Sequence, residues 1–378
     1  MIGRNVQQKE GYQAFIPEPF PTKELFSIDP SIVKKDAEAS HWLGKLDGIT
    51  QLLPDVAFFI SMYVRKDATA SSQIEGTKAT LADALEAEAK IESTVPNDAD
   101  DILHYIKALN YGMQRLENFP LALRFIREIH KELMQDARAT HFSDPGNFRH
   151  SQNWINGKNP ADAEFVPPPV KHMDTALNEL EKFIHSENTM LPLIKTALIH
   201  AQFETVHPFL DGNGRTGRML ITFYLWKEGL LEKPVLFLSS YFKKYKKIYY
   251  QRLTDYREGN VNKWLEFFLD GVIETSQAAI ETVRKITLLR ERDIVKISVM
   301  NKTSSVSAMK ILPKLFAQPI VTVALIQQWS NFNTRTGAQK LINRLVDINI
   351  LKIKDEDAKY GRTYVYREYL DIFEKSLT

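Results

Sequence analysis

"HPFLDGNGRTGR", residues 207–218, holds three glycines, two arginines, one histidine and one aspartate within twelve positions. In its "DGNGR" segment, two glycines bracket an asparagine directly before a helical pattern. Glycine lets the backbone approach a ligand closely, and the free N–H groups of a helix N-terminus bind anions. Arg215 and Arg218 lie three residues apart, so both guanidiniums face one side of this helix and can hold phosphate oxygens. The stretch therefore predicts a cradle for more than one phosphate.

Two further side chains of this stretch indicate the chemistry. Asp211 suits Mg²⁺, which binds one or two protein carboxylates together with phosphate oxygens. His207, four residues earlier and expected near its ordinary pKa, suits a general base. A base, a metal ligand, an anion loop and an arginine pair are the parts of nucleotidyl or phosphoryl transfer. Taken singly, the same residues have ordinary alternatives: a capping histidine, a turn and a solvated helix face.

The composition indicates a globular protein with a core of ordinary size. The chain has 378 residues, 44% hydrophobic and 25% charged, which fits two or three domains. Its formal net charge of +2 argues against an electrostatic grip of the whole protein on nucleic acid. The absence of cysteine excludes disulfides and cysteine nucleophiles. The longest apolar run, "VAFFISMYV" at 56–64, is about half a bilayer span, and no secretory signal is visible, so we expect a cytoplasmic protein without membrane contact.

Helical spacing of apolar residues dominates from about residue 31 to residue 297, and it ends in one long connecting helix. Thr80, with Asp83 three residues on, predicts a helix N-cap. The prolines of the first thirty residues predict an irregular arm over the surface. Within the helical part, "RHSQNWINGKNPADAEFVPPP" at 149–169 carries Asn-Gly and Asn-Pro turn signals and predicts a short hairpin.

The C-terminal part, residues 295–378, has a different character. "TVALIQQWSN" and "TRTGAQKLINRLVDINIL" predict two helices, and "KIKDEDAKYGRTYVYRE" predicts a hairpin, which together indicate a winged-helix domain. With 13 Lys or Arg against 7 Asp or Glu, its local net charge is +6, as is typical of a nucleic-acid-binding module. Arg335, Lys340 and Arg344, on or near the second helix, are the candidate DNA contacts. A protein-interaction or dimerisation module is the open alternative.

"HPFLDGNGRTGR" resembles, without departure, the signature HxFx(D/E)GNGRxxR of the Fic family, and the resemblance covers roughly residues 30–285. It implies a mainly α fold: a Fic-type helical bundle with a short β-hairpin flap, followed here by the winged-helix domain. We expect an N-terminal arm and helical region at 1–110, a Fic catalytic domain at 111–285 and the winged-helix domain at 295–378. The family resemblance implies a protein adenylyltransferase that moves AMP from ATP to a Ser, Thr or Tyr hydroxyl of a target protein.

The resemblance also assigns roles within the motif. It implies that His207 deprotonates the target hydroxyl and that Asp211 binds Mg²⁺ between the α- and β-phosphates. Arg215 would contact the β-phosphate and Arg218 the γ-phosphate. The remaining positions would form the anion hole and its backbone cradle, with Asn213 on the α-phosphate: Gly212, Asn213, Gly214, Thr216 and Gly217. Phe209 would pack inward and hold the loop.

A second stretch, "SSQIEG" at 71–76, resembles the inhibitory helix pattern (S/T)xxx(E/N) of one class of Fic proteins, through Ser71, Glu75 and Gly76. The resemblance implies an inhibitory helix at about 65–76. Glu75 would pair with Arg218 and put a negative charge where the γ-phosphate should lie. Without the downstream motif, a glutamate followed by a glycine is an ordinary helix C-terminus.

Substrate contacts are expected on both sides of the motif. The 149–169 flap would bind the target by strand addition. Tyr250, in "YKKIYYQRL", is the expected adenine contact, with simple core packing as its alternative. Two other functions stay open: AMP removal by hydrolysis at the same site, in which Glu75 orients water, and a DNA-binding regulator that senses nucleotide. Self-modification and a homodimer also stay open.

Overall fold

The structure is a computed structural model that describes residues 2–51, 53, 56–89, 98–135, 144–187, 189–330, 332, 334–354 and 361–374. Most of these residues form helices, as their apolar spacing predicts. The first eight helices are α1 (Pro30–Gln51), α2 (Val56–Ile74), α3 (Leu81–Glu88), α4 (Ala99–Leu116), α5 (Leu123–Met134), α6 (Val170–His185), α7 (Pro192–Val206) and α8 (Asn213–Lys227). The next seven are α9 (Ser239–Lys244), α10 (Lys246–Arg257), α11 (Val261–Ser298), α12 (Lys302–Ala317), α13 (Val323–Ser330), α14 (Arg335–Asp347) and α15 (Arg367–Glu374). The mainly helical fold is as predicted.

The two helices that flank the motif lie at the centre of the bundle. Every residue of α7 from Leu193 to Val206 is buried, and most of α8 is buried as well. These helices pack on each other, α4 and α5 cover α8, and α10 and α11 cover α7. The loop between α7 and α8 is therefore anchored at both ends in the core.

The N-terminal residues are more regular than the prolines indicated. β1 (Gly3–Gln7) and β2 (Gln13–Pro17) pair antiparallel, and a 3-10 helix follows at Lys23–Phe26. The backbone N–H of Phe15 donates to the carbonyl of Val166 at 2.9 Å, which ties the hairpin to the 149–169 segment. The prediction of an irregular arm is wrong, because Pro17 is the last residue of β2 and the other three prolines, Pro19, Pro21 and Pro30, lie after it.

The inhibitory segment follows directly from α2. α2 ends at Ile74, and Gly76 adopts a φ of 105° that suits glycine. Thr80 then caps α3 by accepting a hydrogen bond from the N–H of Asp83, whose side chain bonds back to Thr80, so the predicted N-cap is confirmed as a capping box.

The C-terminal part contains the two predicted helices, α13 and α14, and two additional helices, α12 and α15, that were not predicted from the sequence. Three short strands, β3 (Ile320–Thr322), β4 (Lys352–Ile353) and β5 (Thr363–Val365), form an antiparallel sheet in the order β3-β5-β4. The turn of the predicted wing, 355–360, lies outside the described residues.

One hydrophobic core extends from Ile2 to Phe373 and joins the C-terminal elements to the bundle. α4 crosses the expected boundary at residue 110, and α11, which is the expected long helix, crosses the one at 285. The division into three domains therefore remains a proposal. No helix of the described residues is long and apolar enough to cross a membrane.

Candidate active site

His207 follows α7 in a left-handed backbone conformation, with φ 48° and ψ 61°. Its N–H donates to the carbonyl of Phe203 at 2.9 Å. Its own carbonyl accepts hydrogen bonds from Arg149 Nε at 3.0 Å and Asn153 Nδ2 at 3.2 Å. Both donors belong to the 149–169 segment and were not predicted as site residues. This segment therefore fixes the backbone from which the imidazole projects.

The surroundings of His207 lower the pKa of its imidazole. Burial is the main cause and lowers this pKa to about 3, and the positive charges of Arg257 and Arg149 lower it as well. The backbone carbonyl of Glu204 raises the pKa, but by less. The expectation of an ordinary pKa is therefore wrong. The ring is neutral at neutral pH, so one nitrogen keeps a lone pair that can accept a proton.

The glycine loop is held by its own asparagine and by a histidine of α5. The Asn213 side chain accepts from the N–H of Phe209 and donates to the carbonyl of the same residue, both at 2.8 Å. His130 Nδ1 accepts from the N–H of Gly146 at 2.9 Å, so Nε2 carries the hydrogen and donates to the Asp211 carbonyl at 2.9 Å. His130 also stacks on Phe209, with ring centroids 3.6 Å apart, and Phe209 is fully buried, as expected.

The N-terminus of α8 supplies the anion-binding groups. Gly212, with a φ of 77°, is its N-cap. The first N–H groups of a helix have no intrahelical acceptor, and this end carries partial positive charge. Asp211 Oδ1 accepts the N–H of Gly212 at 2.6 Å, while Oδ2 lies 3.8 Å from Arg215 Nη2 and the side chain is 45% exposed. Asp211 can therefore still offer an oxygen to a cation.

Glu75 and Ser71 both contact the guanidinium of Arg218. Glu75 Oε1 accepts from Arg218 Nη2 at 2.6 Å. Ser71 accepts from Nε through its hydroxyl at 2.8 Å and from Nη2 through its carbonyl at 3.1 Å. Burial raises the pKa of the Glu75 carboxyl, but the charge and hydrogen bond of Arg218, together with the charge of Arg215, outweigh burial and leave this pKa below its ordinary value. The pair is therefore ionised at neutral pH.

Two neighbouring residues make room for Glu75 and hold its turn. A Cβ atom on Gly214 would collide with Glu75 Oε1, so any larger residue at this position would require the carboxylate to move from its present place. Lys246, at the start of α10, donates to the carbonyl of Ile74 at 2.5 Å. A cation at this place complements the C-terminal end of α2. Lys246 was not predicted as a site residue.

A cavity of about 570 Å³ gathers most of the predicted site residues. Nine of them line it: Glu75, Gly76, His207, Asp211, Gly212, Asn213, Gly214, Arg218 and Tyr250. Four do not line it: Ser71, Arg215, Thr216 and Gly217. The guanidinium of Arg215 instead faces Met134, at 3.4 Å from its sulfur, and lies 4.0 Å from Asp101.

Aromatic residues from two segments border the same cavity. Tyr250, on α10, is 41% exposed, and Trp154, in the 149–169 segment, is 39% exposed. The predicted hairpin of that segment is reduced to one antiparallel bridge, between Ile155 and Phe165. Exposed aromatic faces suit stacking against a planar ring, so the position of Tyr250 is compatible with a base contact.

A buried carboxylate of α7, Glu204, also lines the cavity and was missed by the sequence reading. Glu204 is 5% exposed, and its Oε2 lies 3.9 Å from His207 Nδ1. Burial raises the pKa of its carboxyl to about 7. Its one available signal was its place as the only acidic residue of α7, three positions before His207.

Two family models match the chain: "Fic/DOC family N-terminal" over residues 33–114 and "Fic/DOC family" over residues 120–225. A crystal structure of a Fic family protein from Desulfovibrio desulfuricans superposes with a TM-score of 0.57 at 19% identity, covering 89% of this chain and 96% of that one. A Fic-domain-containing signaling protein from Bacteroides thetaiotaomicron superposes with a TM-score of 0.53 at 19% identity, covering 65% of this chain and 97% of that one.

Fold and site thus define a helical protein built around the loop between α7 and α8. The chain is a Fic family protein with both the N-terminal and the Fic domain. It is 27% identical over 211 residues to a protein named protein adenylyltransferase Fic from Drosophila erecta, covering 53% of this chain and 39% of that protein. The protein of the same name from Aedes aegypti is 28% identical over 207 residues, which cover 52% of this chain and 38% of that protein. The chain thus spans about two fifths of the length of these relatives.

Proposed function

We propose that this protein is a protein adenylyltransferase that moves AMP from ATP to a Ser, Thr or Tyr hydroxyl of a target, and that Glu75 inhibits it by occupying Arg218. The observation that carries the proposal is the shared cavity, in which a neutral His207, Asp211 and the N-terminus of α8 surround an arginine already held by a carboxylate. The names of the Drosophila and Aedes relatives support the same activity.

The reaction assigns one role to each group. The hydroxyl oxygen of the target bonds to the α-phosphorus of ATP, the bond to the bridging oxygen breaks, and pyrophosphate leaves. His207 accepts the hydroxyl proton. The N–H groups of Asn213 and Gly214 stabilise the charge that develops on the α-phosphate. Arg218 binds the γ-phosphate once Glu75 has left it.

Asp211 would hold Mg²⁺ in this reaction. Its half-exposed carboxylate lines the cavity, and among the described residues no group of three or more His, Cys, Asp or Glu could hold a metal ion. A site of one carboxylate completed by phosphate oxygens and water suits Mg²⁺. The ion would neutralise phosphate charge. The 149–169 segment, whose Ile155–Phe165 bridge borders the cavity, would position the target by strand addition.

The position of the label distinguishes this reaction from its alternatives. ATP labelled at the α-phosphate should label a target protein, or this protein itself, whereas ATP labelled at the γ-phosphate should label neither. Labelling from the γ-phosphate would indicate phosphoryl transfer instead. Release of AMP from an AMP-modified protein, without labelling from ATP, would favour AMP removal with Glu75 orienting water.

We also propose that residues 295–378 form a winged-helix domain that binds DNA. Arg335, Lys340 and Arg344 are exposed on α14, the second helix of the predicted pair. Gln339 of α14 donates to the hydroxyl of Tyr364 in β5 at 2.9 Å, which joins this helix to the sheet. Fluorescence anisotropy with a random DNA duplex should show binding that weakens with salt. Equal affinity after changing all three residues to Ala would refute this assignment and favour the protein-interaction alternative.

A further inference from the structure

A second carboxylate, Glu204, lies beside the Nδ1 edge of the His207 imidazole. Its Oε2 is 3.9 Å from His207 Nδ1. Glu204 Oε1 and His207 Nδ1 are both buried, and within the described ranges neither side-chain atom makes a hydrogen bond of ordinary geometry, although the backbone carbonyl of Glu204 lies near enough to raise the pKa of the imidazole. Unpartnered buried polar atoms are unfavourable, and a small side-chain rotation would bring this pair into hydrogen-bonding distance. The two groups are therefore placed to bond to each other.

Helix α8 leaves space for the Glu204 carboxylate at Gly217. A Cβ atom on Gly217 would collide with Glu204 Oε1, just as a Cβ atom on Gly214 would collide with Glu75 Oε1. Two glycines, almost one turn apart on α8, thus each clear space for one carboxylate. Gly217, which does not line the cavity, has a packing reason to be glycine: it lets Glu204 lie next to His207.

The charges around Glu204 come from three other elements. Burial raises the pKa of its carboxyl, and the negative charge of Glu75, just after α2, raises it further. The positive charges of Arg218 on α8 and Arg257 on α10 lower this pKa. Tyr249, also on α10, has a hydroxyl whose pKa is raised in part by Glu204. Departure of Glu75 from Arg218 would therefore favour the ionised form of Glu204.

We propose that Glu204 positions His207 by accepting the Nδ1 hydrogen, so that the lone pair of the imidazole is on Nε2. Because Nδ1 is buried while the side chain is 17% exposed, the exposed side of the ring is the one that carries Nε2. On the proposed AMP transfer, on which this role rests, the proton of the target hydroxyl passes to Nε2. The resulting imidazolium keeps its Nδ1 hydrogen on the Glu204 carboxylate while pyrophosphate leaves.

The tautomer of His207 tests this role without any activity measurement. Nitrogen NMR of selectively labelled histidine, assigned by loss of a signal in His207→Ala, reports which ring nitrogen carries the hydrogen. Above pH 8 we expect the Nδ1–H form in the wild type and a shift toward the Nε2–H form in Glu204→Leu, which removes the acceptor that a glutamine amide would retain. The same tautomer in both proteins would overturn the proposal.

Kinetics in a Glu75→Gly background provide the second readout. Glu204→Gln should lower kcat about tenfold to a hundredfold, below the ~10²–10⁴-fold contribution of a general base, and leave the KM for ATP unchanged. Gly217→Ala, which keeps the carboxylate but displaces it, should change kcat in the same direction. Glu228→Gln, an exposed change at the end of α8, is the matched control.

The outcomes separate this inference from the proposed function. A Glu204→Gln variant with the kcat of its background, or one that loses ATP binding and kcat together, would contradict a positioning role. Thermal unfolding tests for a folding defect: an unfolding temperature equal to that of the background excludes one as the cause of a lower kcat. If the Glu75→Gly protein transfers no AMP, the proposed function fails, while the NMR result still decides whether Glu204 orients His207.

Discussion

The carboxylate of Glu75 and the guanidinium of Arg218 meet at 2.6 Å across 143 positions of sequence. The Arg218 side chain is 2% exposed, whereas that of Glu75 is 38% exposed. Arg218 is also held by Ser71, while Glu75 lies just beyond the end of α2. The pair can therefore open by movement of Glu75 toward solvent without displacing the arginine, as a reversible inhibitor requires.

Removal of Glu75 should strengthen the binding of ATP selectively. Glu75 occupies Arg218, the proposed partner of the γ-phosphate, so Glu75→Gly should leave the affinity for AMP unchanged. A charge-assisted hydrogen bond contributes about 1.5–3 kcal/mol, so ATP should bind roughly 10- to 150-fold more tightly. Isothermal titration calorimetry measures both affinities. Glu258→Gly is the matched control, because Glu258 is an exposed glutamate that also precedes a positive-φ glycine at a helix end. Equal gains for AMP and ATP would argue against the γ-phosphate assignment.

His207 should be required for transfer and dispensable for nucleotide binding. In the Glu75→Gly background, His207→Ala should lower the rate of AMP transfer by about 10²–10⁴-fold, the usual contribution of a general base. The affinity for ATP should change little, since the phosphates contact α8 and Arg218. His172→Ala, an exposed histidine on α6, serves as the control. Transfer at the background rate would exclude His207 as the base.

Lys246 should contribute to inhibition through the end of α2. Its ammonium donates to the Ile74 carbonyl, one residue before Glu75. Cations at helix C-termini contribute about 0.3–1 kcal/mol, so Lys246→Met should raise basal transfer roughly two- to fivefold. No rise should occur in the Glu75→Gly background, because the two changes act on the same contact. Lys247→Met, a change at the next position, which is also exposed, controls for the loss of a positive charge. If Lys246→Met raised basal transfer in both backgrounds, Lys246 would act elsewhere than on the Glu75 contact.

Acid should destabilise the fold through His200, which joins the motif helix to α10. Its ring nitrogens lie 2.9 Å from the Gly217 carbonyl and 2.9 Å from the Tyr249 hydroxyl. Burial lowers the pKa of His200 to about 3, below the value near 6.5 of an unfolded chain. Its stabilising contribution is therefore complete above about pH 6.5 and falls by about 1.4 kcal/mol per pH unit as the pH drops toward 3.

Urea unfolding between pH 7 and pH 5 measures this effect. His200→Asn should be less stable at pH 7 and should lose less stability on acidification than the wild type. The exposed His172→Asn should follow the wild type at each pH. Parallel pH curves for the wild type and His200→Asn would show that His200 is not the titrating group.

The sequence predicted the parts of the site that depend on local spacing. Asp211 and Gly212–Gly214 converge because a turn precedes a helix, and α11 follows from its long apolar periodicity. The pairing of Glu75 with Arg218 was predicted only from the family resemblance, because no local spacing relates two residues so far apart in sequence. Glu204, Arg149 and Lys246 were missed, because their contacts depend on how α7, α10 and the 149–169 segment pack around the loop.

The most direct test is the transfer of label from α-phosphate-labelled ATP, with Mg²⁺, to this protein and to a bacterial lysate. Wild type, Glu75→Gly, Glu258→Gly and the double change Glu75→Gly with His207→Ala are compared. The account predicts weak labelling by the wild type and Glu258→Gly, strong labelling by Glu75→Gly, and none by the double variant. Equal labelling by the wild type and Glu75→Gly would contradict inhibition by Glu75, and no labelling by any variant would contradict AMP transfer itself.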